Sequence, residues 1–319
     1  MWFSPVALHI PDGFLTPIVA VVGWVLAIAM IVIAIRQTNR QLGERQIPMM
    51  GILAAFIFAA QAINFPVAAG TSGHLVGAAL AAIVMGPWAA TLIMTAVVVV
   101  QGLLFQDGGL LVMGWNIVNM GVLAAFTGYF TYGLVRRFAG ESRPATLAAA
   151  FAAGWISVVL AALATALELA ASGTSPLVLA TAAMTGVHAI IGIGEGLITA
   201  AAVGLLLASR PEVMKGGQMA PGQRSASYVL VGLAIALGVA LFSPLASPSP
   251  DGLEFVAEQQ GFLGLALSSP YELLPDYTLP FVSNPALTTI LAVALGTLIV
   301  FGGAVLIGRL AARRAASRT

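Results

Sequence analysis

Apolar residues run almost unbroken through nine stretches of the chain, near 15–35, 49–63, 75–86, 88–106, 110–135, 145–170, 180–208, 227–246 and 286–308. Short clusters of polar, Gly and Pro residues separate them. A helix needs about 20 apolar residues to cross a bilayer, with a range of ~17–25. Most of the stretches reach that length, so the pattern predicts an all-α polytopic membrane protein with about nine transmembrane helices. Two stretches, 49–63 and 75–86, are short, and they flank the segment from Asn64 to His74. A tilted, broken or partly crossing segment is expected there. Non-helical backbone at membrane depth is tolerated only where protein or a cavity satisfies its polar groups.

Charge turns this pattern into a topology. All 13 Lys and Arg fall in four places: Arg36, Arg40 and Arg45 after the first run; Arg136, Arg137 and Arg143 after the fifth; Arg210, Lys215 and Arg224 after the seventh; and Arg309, Arg313, Arg314 and Arg318 after the ninth. With nine spans, every cluster lies on the cytoplasmic side, as the positive-inside rule requires. An even count would split them. The expected orientation is N-terminus outside and C-terminus cytoplasmic, with 64–74, Asp107, 171–179 and 247–285 also outside. Composition agrees: the chain is 60% hydrophobic and 8% charged, against roughly 25% charged in a soluble domain. The residues before Leu8 carry no Lys or Arg and are too short for a signal-peptide core, so the spans themselves are expected to direct insertion.

A polar, Gly/Pro/Gln-rich linker at 209–226 divides the chain into an N-terminal part, 1–208, and a C-terminal module, 227–319. Seven spans belong to the first. The second has two spans, an outside loop and a basic tail. That loop, 247–285, holds Asp251, Glu254, Glu258, Glu272 and Asp276, five of the 12 acidic residues. Small residues dominate 145–170 and 180–208, which predicts close helix packing.

The candidate chemistry is sparse. There is no cysteine, so a metal site would rest on His, carboxylate, backbone or the terminal amine. Of three histidines, His9 and His74 stand in Gly- and Pro-marked turns just before apolar runs, on the expected outer side. Paired imidazoles suit Ni(II), Co(II), Zn(II) or Cu(II), while each histidine alone is also compatible with a structural role. Asn64, Thr71 and Ser72 are candidates to hydrogen-bond and orient an imidazole, and Asp12 is the carboxylate next to His9. His188 and Glu195, seven apart, share a face of the seventh span. A carboxylate within a span is a functional candidate. Glu195 is expected to brace helices, with His188, Asn116 or Asn119 as partners, rather than to bind the ion. Glu168 is expected near the outer interface. The chain has no phosphate-binding Gly-x-x-x-x-Gly-Lys-Ser/Thr loop and no His-Glu-x-x-His, which argues against an ATPase or a zinc protease of those types.

Three segments carry a family resemblance: His9-Ile10-Pro11-Asp12-Gly13, Asn64-Phe65-Pro66-Val67 with Gly70-Thr71-Ser72-Gly73-His74, and His188 through Glu195. Their order resembles the CbiM/NikM family, the substrate-binding membrane components of energy-coupling factor (ECF) transporters for cobalt and nickel. Pro250-Asp251-Gly252-Leu253-Glu254 resembles the PDGLE domain of the NikN-type accessory subunit, so the whole chain is similar to a fusion of the two. The resemblance implies uptake of Ni2+ or Co2+ across a bacterial or archaeal cell membrane. It implies a transmembrane coupling subunit (CbiQ/NikQ-like) and a cytoplasmic ATPase (CbiO/NikO-like) as partners, no nucleic acid, and no enzymatic activity of the chain's own. It also implies a square-planar site built from the terminal amine, the amide and imidazole of a second-position histidine, and the later histidine.

Carried over, the ligands are His9 and His74, with Leu8 supplying the amine. Here Met1–Ala7 precede Leu8. Translation starting at position 8, or cleavage after Ala7, would restore the amine; an intact extension would require another fourth donor. An ion-coupled secondary transporter using Glu195 and Glu168 is the alternative function.

Overall fold

The computed structural model describes residues 9–41, 43, 46–214 and 225–316. Leu8, Arg45, Lys215, Arg224, Arg318 and most of the expected linker lie outside the described residues. The order is α1 (Pro17–Gln41), α2 (Ile47–Gln61), β1 (Phe65–Pro66), β2 (Ser72–Gly73), α3 (Ala78–Met85), α4 (Pro87–Val100), α5 (Met113–Asn116), α6 (Ala124–Ala139), α7 (Arg143–Ala171), α8 (Leu177–Ser209), α9 (Ser225–Ala240), α10 (Gly252–Gln259) and α11 (Pro285–Ala316). Wide π turns extend α4 over Gln101–Phe105 and join α5 to α6 over Ile117–Leu123. Local chemistry sets the boundaries. Ser142 caps α7 by accepting a bond from Ala145 N, with proline at the helix start. The Gly86–Pro87 turn splits α3 from α4, with Gly86 at φ +82°.

Among the described residues, seven helical segments are long and apolar enough to cross a membrane: α1, α4 with its π turn, the 113–139 run, α7, α8, α9 and α11. The two runs that the sequence marks as short form α2 and α3. α2 has 15 residues, or ~22 Å at 1.5 Å per residue. α3 has eight, all buried, or ~12 Å against a hydrocarbon core of about 30 Å. The backbone from Thr71 to Gly77 leads into it without helical bonding. This is the non-helical stretch expected next to His74.

The segments expected on one side do meet at one end of the bundle. Gly109 N donates to Ile10 O (2.9 Å), Ser247 N to Asn64 O (2.8 Å), Ser72 N to Pro250 O (2.7 Å), Leu267 N to Asp12 O (2.8 Å) and Leu274 N to Leu104 O (3.0 Å). Arg40, Arg136, Arg137, Arg143 and Arg210 lie at the opposite helix ends, with Arg36 and Arg309 one to two turns inside them.

Packing follows the small residues. Gly154 on α7 meets Gly196 and the Thr199 hydroxyl on α8, and Gly192 meets Trp155. A side chain at any of these glycines would push the helices apart. The C-terminal module is continuous with the rest. Gly232 on α9 seats Ile52, while Gly296 and Gly308 on α11 seat Phe58 and Ile47. One core cluster runs through both parts.

Candidate metal centre

The arm 9–16 is fixed before its histidine does anything. Asp12 accepts bonds from the amides of Leu110 (2.9 Å), Leu111 (2.8 Å) and Val112 (3.2 Å). These are donors ahead of α5, of the kind a helix start leaves unsatisfied. Asp12 is therefore a clamp on the neighbouring turn rather than a partner of an imidazole. Asn116 grips Ile10 from both sides, accepting from its N–H and donating to its carbonyl, each at 3.1 Å. With Ile10 held, His9 is buried to 4% exposure.

Its orientation comes from Asp107. His9 Nδ1 lies 2.9 Å from Asp107 Oδ1, so Nδ1–H donates to the carboxylate, and in the neutral ring Nε2 carries the lone pair. Nε2 is buried with no hydrogen-bond partner. Burial disfavours charge on both groups, yet the attraction between them and their shared hydrogen bond prevail. His9 lies above its ordinary value and Asp107 below. A carboxylate on one imidazole nitrogen, with the other nitrogen bare, is the arrangement of metal-ligating histidines.

His74 comes from the other direction. β1 and β2 pair antiparallel, with Phe65 opposite Gly73 and Pro66 opposite Ser72. A side chain at 73 would strike Ile191. Just after this hairpin, the His74 ring centroid lies 5.5 Å from that of His9, at 72°. Its Nδ1 is 3.1 Å from Leu75 O. The following backbone is held by Glu195, whose carboxylate accepts from Val76 N (2.6 Å) and Gly77 N (2.9 Å). Gly77, at φ +77°, caps α3. Glu195 thus serves as the anionic cap that a broken helix requires. Its partners are these amides, not the expected His188, Asn116 or Asn119.

A cavity of about 80 Å3 lies between the histidines, lined by His9, His74, His188, Asn116, Asn119 and Asp251 among others. It has room for an ion and water. His188 bonds Met184 O through Nδ1 (2.8 Å) and turns its ring to the cavity beneath Gly252. Sequence spacing gives it no such place. Asp251 caps α10 by accepting from Glu254 N (2.7 Å). Burial raises its pKa to about 7, although that N–H and the nearby His9 favour the charged form.

Other expectations are corrected. Ser72 donates to Ser249 O (2.7 Å) and Thr71 to Ala68 O (3.5 Å), while Asn64 accepts at its backbone from Ser247. All three shape the hairpin and its docking, and none of the three bonds an imidazole. Glu168 is not interfacial: it is 5% exposed and accepts from Asn119 Nδ2 at 3.1 Å.

Asp107 and Tyr277 escape sequence reasoning. The signal for Asp107 is its position, the one carboxylate in the short turn between two long apolar runs. Among the described residues, no three His, Cys, Asp or Glu side chains cluster as a metal cage. A metal site on the two imidazoles would need further donors from elsewhere.

The fold and this cavity define a polytopic helical membrane protein with a histidine-lined site built from loops at one end. The chain belongs to the CbiM family, whose model, described as the cobalt uptake substrate-specific transmembrane region, matches residues 9–213, and a PDGLE domain follows at 226–313. It is 38% identical over 296 residues to an Archaeoglobus fulgidus protein assigned as a fused nickel transport protein NikMN, covering 92% of this chain and 95% of that one. It is 28% identical over 347 residues to the fused nickel transport protein NikMN of Rhodobacter capsulatus, covering 98% and 99%. A crystal structure of a truncated transition metal transporter superposes with a TM-score of 0.57 at 33% identity, covering 63% of this chain and 98% of that one.

Proposed function

We propose that this protein captures Ni2+ or Co2+ at the cell surface and is the substrate-specific membrane component of an ATP-driven ECF importer. His9 Nε2 and the His74 imidazole bind the ion. The observation that carries this reading is the bare, buried Nε2 of His9, set by Asp107 and facing the cavity it shares with His74. Leaving such a nitrogen unpaired costs free energy, which a ligand recovers. A chelate with the backbone nitrogens of the N-terminal arm, which the family resemblance implies, would use His9 Nδ1, the nitrogen held here by Asp107, so an Nε2 site takes its remaining donors from other groups of the cavity. The site faces outward, because the cationic helix ends belong in the cytoplasm. Energy comes from a cytoplasmic ATPase acting through a transmembrane coupling subunit. The names of the NikMN relatives favour nickel.

Calorimetric titration of the detergent-solubilised chain with Ni2+ and with Co2+ tests the site, with His74→Ala as control. Tight binding of either ion that the substitution removes is the expected result, and binding unchanged by it refutes the site. Uptake in vesicles with and without the ATPase and coupling subunit tests the energy source: uptake without them would instead favour an ion-coupled carrier.

A further inference from the structure

One route from the C-terminal module to the histidine pair runs through a phenol. Tyr277 O–H donates to Asp107 Oδ2 at 2.7 Å, while Asp107 Oδ1 holds His9 Nδ1 at 2.9 Å. Gln101 Nε2 donates to the same phenol oxygen at 3.2 Å. With that amide on its oxygen, Tyr277 directs its proton at Asp107. Oδ2 is then engaged, and Oδ1 faces the imidazole. The chain of bonds has one polarity, from Gln101 to Tyr277 to Asp107, with His9 Nδ1–H closing from the other side. In the neutral ring that polarity places the proton on Nδ1 and the lone pair on Nε2.

The surrounding structure is built to deliver this hydroxyl. Asp276 and Tyr277 are two successive non-glycine residues at positive φ, +53° and +56°. Such backbone is costly and persists where the surroundings enforce it. Here the Tyr277 ring stacks on Phe105 at 4.6 Å and 14°, and it also packs on Phe58. Leu274 N bonds Leu104 O at 3.0 Å. Phe105 and Gln101 sit at the two ends of the π turn that extends α4, and a π turn of this kind is often retained at a functional site. The strained turn of one module and the π turn of the other thus converge on one carboxylate.

We infer that Tyr277 is a positioning residue for metal capture: by holding Asp107 Oδ2 it sets the His9 imidazole and tunes affinity without itself touching the ion. The inference rests on the metal-capture reading above. An aromatic anchor alone would need the ring and not the hydroxyl.

The test is a double-mutant cycle on the full chain in detergent, using Ni2+ as probe, with Kd from calorimetry and the ligand-field absorption of bound nickel as a second readout. Tyr277→Phe keeps the stacked ring and removes the proton. It is expected to weaken Ni2+ binding about tenfold and to shift the absorption band. In an Asp107→Asn background the same substitution is expected to add less than about twofold, because its effect passes through Asp107. An equal loss in both backgrounds, or no loss in either, overturns the inference. Should Tyr277→Phe not fold, Gln101→Met removes the amide that fixes the phenol, and a loss of about threefold, again confined to the Asp107 background, is expected. Failure of the unsubstituted chain to bind Ni2+ would overturn the metal-capture reading itself, a result distinct from any ratio between variants.

Discussion

The two histidines are held in opposite ways. His9 is positioned through its ring: the arm is locked by Asp12 and Asn116, and the imidazole is then aimed by Asp107. His74 is positioned through its backbone: a two-residue hairpin leads into it, and Glu195 grips the two amides beyond its neighbour Leu75. A buried carboxylate does the work in both places, but one acts on a side chain that meets the cavity and the other on peptide groups that a broken helix leaves bare. The first kind tunes the chemistry of a ligand and the second keeps its loop folded. Substitutions should separate the two.

The largest effect is expected from His74→Ala, which removes a donor of the proposed site outright. Ni2+ affinity should fall more than about 100-fold in calorimetric titration, beyond what loss of an outer partner costs. Asp107→Asn comes next. The neutral amide weakens the hold on His9 Nδ1–H, and affinity should fall about 10–100-fold in the same titration. An unchanged affinity would mean that His9 is not aimed through its ring, and the contrast between the two arms would fail on that side.

Glu195→Gln should register in stability first. A glutamine offers one oxygen to two amides and turns an N–H toward the other, leaving a buried donor unpaired at about 1–3 kcal/mol. Thermal unfolding of the metal-free protein in detergent should show it, with a smaller loss of affinity than in Asp107→Asn. A chain that unfolds normally yet no longer binds metal would place the Glu195 carboxylate at the ion instead.

How much of this the sequence reveals follows from the range of each interaction. The apolar runs locate the helices, because a membrane span is a local property of about 20 residues. The charge clusters bring the loops to one end for the same reason. His9 and His74 are visible because so few histidines stand in turns. Their supports are not. Asp107, Tyr277 and His9 lie 98 and 170 residues apart along their two bonds, and no spacing rule spans a crossing of that kind. Glu168 reads as interfacial because its place in the helix is near an end, whereas its burial depends on Asn119 from another helix. His188 and Glu195 do share a face, as their spacing requires, but a shared face leaves open which neighbours each side chain meets: one turns to the cavity and the other to the start of α3.

The smallest effect is expected from Ser72→Ala. By its position two residues before His74, Ser72 is a candidate to orient the imidazole, and on that basis its loss should weaken metal binding. Its hydroxyl instead donates to Ser249 O at 2.7 Å, and its amide N–H, which the substitution leaves intact, donates to Pro250 O at 2.7 Å. Alanine should therefore cost one hydrogen bond, about 0.5–1.5 kcal/mol, read as faster hydrogen exchange in 247–253, with Ni2+ affinity unchanged within about twofold. A loss of affinity as large as that of Asp107→Asn would require a different physical account. Docking of the segment that carries Asp251 and Gly252 onto the cavity would then govern how tightly the ion is held, and the backbone-positioned arm would matter to the chemistry as much as the ring-positioned one.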